Sequence, residues 1–157
     1  MALDIEEQYD NIYRYCYFKL HHPQTAEDIT QETFLRYWER YHPMPAFLAV
    51  KYLYTIAGNL CTDEYRKRKT QPLEESATEP LAEEHLLEKM SVHSALSALS
   101  TQEQELLLLR YVNEVPIGTI AVLLGISRFA VYRKLKSAST HFQTELNKEG
   151  IYDAMEN

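Results

Sequence analysis

Apolar residues recur at three- and four-residue intervals through most of this chain, and proline falls only at the edges of the runs. Ile5, Tyr9, Ile12, Tyr13, Cys16, Tyr17 and Leu20 make one helical stripe. His22-Pro23 closes it. Thr25 with Asp28 three residues on has the pattern of a capping box and opens a second helix to about Tyr41. That helix displays Ile29, Thr33, Phe34, Tyr37, Trp38 and Tyr41. Pro43 and Pro45 then interrupt the chain, because neither donates a backbone N–H and each biases its predecessor away from helix. A third helix follows over about 46–68, with Val50, Leu53, Tyr54, Ala57, Leu60, Cys61 and Tyr65 on one side.

Gln71 to Pro80 has no such period and is rich in Pro, Ser, Thr and Glu, which reads as a flexible linker. Further helices are expected at 82–98, 101–112, 116–124 and 127–146. Ser100-Thr101-Gln102-Glu103 is a capping box of the S-x-x-E form that starts the second of these. Four Gly and six Pro in 157 residues argue against a turn-rich β fold, and 45% apolar residues exclude wholesale disorder. The expected fold is all-α: two small helical domains joined by a flexible acidic linker. The boundaries are 1–70, 71–90 for the linker and the start of the next helix, and 91–157.

Charge is informative only by segment. The chain is net −7, yet the six Glu of Gln71–Glu88 stand beside an Arg66-Lys67-Arg68-Lys69 run. From Val115 to Thr144 there is no acid, while Arg128, Arg133, Lys134 and Lys136 fall together. Local basic patches are what phosphate attraction needs, since screening sets in beyond roughly 8 Å at physiological salt. On charge alone, both runs fit solvated helix faces equally well. The acidic start is unlike a secretory signal, and no apolar run approaches the ~20 residues that span a bilayer. Cys16 and Cys61 lie on apolar stripes and are expected to be buried, inert thiols. The six His are scattered, Glu83-Glu84-His85 and His93 suit solvent-facing positions, and no H-E-x-x-H, G-x-S-x-G or phosphate-binding glycine loop is present. No catalytic residue, metal site or cofactor is expected.

The informative motif runs from Pro116 to Leu135. Ala121, Gly125 and Val131 have helix-turn-helix spacing. Ala121 permits a close helix crossing, Gly125 can take the left-handed conformation that ends the first helix, and Ser127 can cap the second. Val131, Leu135 and Ala138 would face inward. Ser127, Arg128, Phe129, Tyr132, Arg133 and Lys136 are left for duplex DNA, with the N-terminal side chains at base edges and the later cations on phosphates.

Residues 95–146, including Leu106–Tyr111 and Leu124-Gly125-Ile126-Ser127, resemble the promoter-binding C-terminal domain of extracytoplasmic-function (ECF) sigma factors of bacterial RNA polymerase. Ala26–Leu35 with Tyr37-Trp38 looks like that family's polymerase-binding helix. Tyr52–Leu60 with Asp63 and the Arg66–Lys69 run looks like its melted-promoter helix. The resemblance implies that Asp28, Gln31, Glu32 and Arg36 dock on core RNA polymerase. It also implies that Asn59, Asp63, Arg66 and Lys67 face the single-stranded −10 region, and that His42–Phe47 is the loop that receives a flipped base. Phe34 and Trp38 fit either the docking face or the core, with core expected. Asn59 fits a base edge or a buried amide, and Phe129 a thymine methyl or a packing contact.

Arg128-Phe129-Ala130 stands where small or acidic residues are usual, Ser137 where Arg is common, Tyr52 for a usual Trp, and Gly58 for a common Arg. The function implied is a cytoplasmic sigma factor without chemistry of its own. It would direct promoter-specific initiation with core RNA polymerase and promoter DNA as partners, and an anti-sigma factor as inhibitor. The alternative is a sigma-like decoy that binds an anti-sigma factor without recognising promoters.

Overall fold

The computed structural model describes residues 3–69 and 92–148, and all regular structure in them is helical. The elements are α1 (Ile5–Leu20), α2 (Pro23–Arg40), α3 (Ala46–Lys69), α4 (92–97), α5 (Thr101–Leu107), α6 (Ile117–Leu124) and α7 (Arg128–Lys148). A five-residue π turn, Leu108–Val112, extends α5. The expected linker, its acidic run and most of the expected 82–98 helix lie outside the described residues.

The first three helices form a bundle. Asp4 caps α1 by accepting from the Glu7 N–H at 3.1 Å. His21 closes the helix in the left-handed conformation (φ 53°), a place that glycine usually fills, and its N–H donates to the Tyr17 carbonyl at 2.7 Å. The start of α2 differs from expectation. Pro23 occupies the first turn, where its missing N–H costs nothing, and His22 Nδ1 accepts from the Thr25 N–H at 3.2 Å. Asp28 instead accepts from Gln24 at 3.0 Å, so no Thr25–Asp28 capping box forms.

Ile12, Tyr15 and Cys16 of α1 meet Ala26, Ile29, Thr30, Thr33 and Tyr37 of α2 and Leu53, Tyr54, Ala57 and Cys61 of α3 in one apolar core. The buried hydroxyls of Thr30 and Thr33 donate to the Ala26 and Ile29 carbonyls at 2.7 Å, which removes the cost of burying them. Both cysteines are buried in this core, as expected. Tyr65, expected on the apolar side of α3, is instead exposed.

In the second half, the Ser100–Glu103 capping box forms in both directions. The Glu103 N–H donates to Ser100 Oγ at 3.1 Å and the Ser100 N–H to Glu103 Oε1 at 3.0 Å. The four leucines 106–109 are all buried. A helix that is apolar all round must have neighbours all round. Leu107 packs with Leu99 and Ala138 in a small second core, while Leu106, Leu108 and Leu109 join the core of the first bundle. The two halves are therefore docked on each other through α5, the π turn and α6 against α1 and α3.

Polar groups set the register of that docking. Glu105 accepts from the Tyr15 hydroxyl and pairs with Lys19 Nζ at 2.6 Å. Burial first, and the Glu105 carboxylate second, push the Tyr15 hydroxyl far above the usual tyrosine range, so it remains a donor. Asn113, buried just past the π turn, donates through Nδ2 to the Asn11 carbonyl and to Tyr54 Oη, both at 2.8 Å. Gly58 belongs to this arrangement. A Cβ there would sit 3.1 Å from the Tyr15 hydroxyl, so the missing side chain makes room for the group that reaches Glu105.

Two predictions follow from the packing. Asn113→Ala removes the hydrogen-bond partner of the buried Tyr54 hydroxyl and a second contact at the Asn11 carbonyl, and should cost about 1–3 kcal/mol in urea unfolding. Glu103 has its carboxyl pKa lowered, first by the Ser100 N–H and then by His141. A carboxyl with a depressed folded-state pKa stabilises fully above its unfolded value of about 4.3 and loses that contribution as pH falls through the folded value. The melting temperature should therefore fall more steeply below about pH 4 in the wild type than in Glu103→Gln, measured by circular dichroism.

Candidate nucleic-acid interface

The strongest candidate surface is built at the α6–α7 corner. Gly125 takes φ 67°, and its N–H and that of Ile126 turn back on the last carbonyls of α6, with Ile126 N to Ala121 O at 3.1 Å. An L side chain is strained at that φ, so glycine fixes the corner. Ser127 Oγ then accepts from the Ala130 N–H at 3.1 Å and caps α7. Ala121, Val131, Leu135 and Ala138 are buried as the motif requires. This leaves Ser127, Arg128, Phe129, Tyr132, Arg133 and Lys136 exposed on the outward side. Phe129 is 79% exposed, so it is not a packing contact with the next helix. Lys134 is excluded from the surface set by its tie to Gln102 at 3.2 Å. Beside this face, an open cleft of about 390 Å³ is lined by Arg110, Tyr111, Tyr132, Lys136, Thr140 and Gln143, among others. Arg110 and Tyr111 belong to the Leu106–Tyr111 stretch that carries the resemblance, but no sequence signal assigns them to this face; they reach the cleft through the π turn.

A second exposed set lies along α3. Asn59, Asp63, Arg66 and Lys67 fall at i, i+4, i+7 and i+8, on one face, and all are exposed. Asn59 is thus not a buried amide. Arg68, from the same basic run, is structural: it pairs with Glu64 at 3.2 Å and donates to Thr25 Oγ1 at 2.6 Å, tying the end of α3 to the start of α2. At the other end of α3, the His42–Phe47 segment is flanked by two close ring pairs, one tilted and one stacked. Trp38 sits on His42 with centroids 3.8 Å apart, and Tyr41 on Tyr52 at 4.3 Å. Phe47 stands 60% exposed beside them.

The third surface is on α2. Asp28 and Gln31 are exposed, and the half-buried Glu32 and Arg36 pair at 2.8 Å. Trp38 departs from expectation: it is 49% exposed, not core. Tyr37 already fills the inward position, and the next residue lies about 100° further round the helix. Phe34 is half-buried against Tyr9 at 5.4 Å. With Leu3, Ile5, Tyr9 and Leu35 these two rings line an apolar cleft. Tyr9 donates to Glu27 at 2.5 Å, and burial together with that carboxylate pushes its hydroxyl up to about 12. Among the described residues, no cluster of three or more His, Cys, Asp or Glu could hold a metal ion, and no helix is long and apolar enough to cross a membrane.

The family model for sigma-70 region 2 matches residues 5–71, and that for sigma-70 region 4 matches residues 89–141. The ECF RNA polymerase sigma factor BldN of Streptomyces coelicolor is 31% identical over 140 residues, covering 80% of this chain and 52% of that protein. The RNA polymerase sigma factor YlaC of Bacillus subtilis is 28% identical over 154 residues, covering 90% and 89%. The chain thus spans about half the length of BldN and most of YlaC. Among solved structures, the sigma factor RpoE of Bartonella quintana, in complex with the anti-sigma factor NepR, shares the fold. Its TM-score is 0.61 at 19% identity, covering 89% of this chain and 92% of that one. Two region models in order, one on each half of the chain, make this chain a member of the ECF sigma factors of the sigma-70 family.

Proposed function

We propose that the chain is the promoter-specificity subunit of a bacterial RNA polymerase, working in the cytoplasm and leaving all chemistry to the core enzyme. Residues 1–70 form the unit that docks on core polymerase and captures the −10 region. Residues 91–157 form the unit that reads the −35 element, and 71–90 connect them. Asp28, Gln31, Glu32 and Arg36 supply the polar part of the polymerase-docking face, with the exposed Leu35 and Trp38 beside them. Asn59 offers donor and acceptor to an unstacked base edge, and Arg66 and Lys67 hold the backbone near Asp63. Ser127, Phe129, Tyr132, Arg133 and Lys136 of α7 enter the major groove, with Arg128 at their edge.

One observation carries this reading above all: residues 128–144 of α7 include no acidic residue in a chain of net charge −7. A decoy that only captured an anti-sigma factor would have no use for such a stretch. The docked arrangement adds a physical condition. A compact chain of this length is roughly 40 Å across, while elements centred about 25 base pairs apart are separated by roughly 85 Å at 3.4 Å per pair. The halves must therefore part for both elements to be engaged at once. Polymerase supplies the energy and the spacing, so the free chain binds promoters weakly and the holoenzyme tightly. An anti-sigma factor is the fitting inhibitor, because the α2 and α7 faces stay open in the docked form.

Run-off transcription with purified core polymerase and a genomic promoter library tests this. Adding the chain should produce discrete, promoter-dependent transcripts. Arg133→Ala should lower them by roughly 5- to 100-fold, the range for losing one good base or phosphate contact of about 1–3 kcal/mol. Identical transcript patterns with and without the chain would rule the function out.

A further inference from the structure

The first residue of α7 folds its side chain back onto α6. The Arg128 side chain runs back so that its guanidinium passes close over Gly118 in the first turn of α6. A Cβ built on Gly118 would stand 2.8 Å from Arg128 Nη2 and 3.3 Å from both Cζ and Nε. Three atoms of the group at such short range mark a seat that is open because residue 118 has no side chain. Glycine is otherwise a poor choice there, since φ at this position is ordinary helix and Gly weakens a helix interior relative to Ala.

The seat is not an ion pair. Among the described residues no carboxylate pairs with Arg128, and α6 has no acid in its first turn. A cation at that end of a helix also opposes the helix dipole, so the contact does not serve the stability of α6. What it does is direct the charge. In a helix-turn-helix the second helix lies in the groove while the first crosses the sugar–phosphate backbone. A guanidinium drawn from the start of α7 onto the start of α6 is moved from base edges to that backbone.

We infer that Gly118 is a positioning residue that turns Arg128 from a base reader into a phosphate clamp, leaving sequence discrimination at this corner to Phe129, Tyr132 and Arg133. The inference rests on the −35 reading proposed above. It also gives two unusual residues, an Arg where small or acidic side chains are common and a Gly inside a helix, one shared reason. Arg suits the role because its fork can engage two phosphate oxygens at once.

The test uses holoenzyme reconstituted from the full chain and core polymerase, with promoter fragments randomised over the −35 element and titrated with salt. One phosphate contact contributes about 0.9 to the slope of log affinity against log salt, worth roughly tenfold at 0.1 M. Arg128→Ala should therefore weaken binding about tenfold for every −35 sequence alike, with the slope shallower by about one and the ranking of sequences unchanged. Gly118→Ala displaces only the end of a flexible side chain, so it should fold and melt a few degrees higher. It should still lose the same slope, or show a new base preference from the released Arg128. Phe129→Ala should do the reverse, relaxing the ranking at constant slope. If Arg128→Ala alters preference at one base pair with the slope intact, or Gly118→Ala binds like the wild type, the positioning role is wrong. If the wild-type holoenzyme shows no −35 preference, the −35 reading fails and takes this inference with it.

Discussion

A carboxylate and an amide on one short stretch of chain decide how the two halves of this protein meet. Glu105 draws in the Tyr15 hydroxyl and the Lys19 ammonium, and Asn113 bridges the Asn11 carbonyl and the Tyr54 hydroxyl. Leucines supply most of the contact area, but apolar contact is tolerant of sliding, whereas hydrogen bonds to fixed partners are not. The polar groups therefore set which faces are covered and which are left out. They leave out the α3 face, the α2 face and the α7 face together. The same groups make the joint separable. Lys19 and Glu105 are each about a quarter exposed, and such groups regain water when parted, so breaking them costs less than their short distance suggests.

The acidic net charge and the proposed nucleic-acid function are reconciled by distance. Over a Debye length of about 8 Å, a phosphate senses its immediate neighbours and little of the rest. On α7 those neighbours are Arg128, Arg133 and Lys136, with Glu103 and Glu105 turned inward to cap α5 and hold the other half. Glu103 and Glu105 are thus occupied in hydrogen bonds of the fold. That division explains how one chain can be acidic overall and still present a cationic helix.

Much of this was legible in the residues themselves because it is local. The helix from Ile5 to Leu20, the Ser100–Glu103 box, the Gly125 corner and the Ser127 cap each depend on neighbours within a few positions, and each formed, although Ile5 and Tyr17 of the stripe are exposed. What sequence could not reveal depends on distant partners or on competition. Thr25 looked like a cap, but His22 one turn earlier captured its N–H once Pro23 started the helix. Trp38 looked like core until Tyr37 occupied the inward position. Asn113 and Glu105 carry no pattern at all, since their partners lie 102, 59 and 90 positions away. Gly58 and Gly118 sit in helices where glycine is a poor former, and each is explained only by the side chain that passes over it.

The central claim is that two faces of one chain hold separate stretches of the same promoter, one melted and one duplex. Site-specific photocrosslinking addresses it directly. A photoreactive amino acid is placed at position 59 in one sample and at position 129 in another, in holoenzyme bound to a promoter that the chain activates. The account predicts crosslinks from 59 to single-stranded DNA at the −10 region and from 129 to duplex about 25 base pairs upstream. Crosslinks from both positions to one segment, or from neither to DNA, would contradict it.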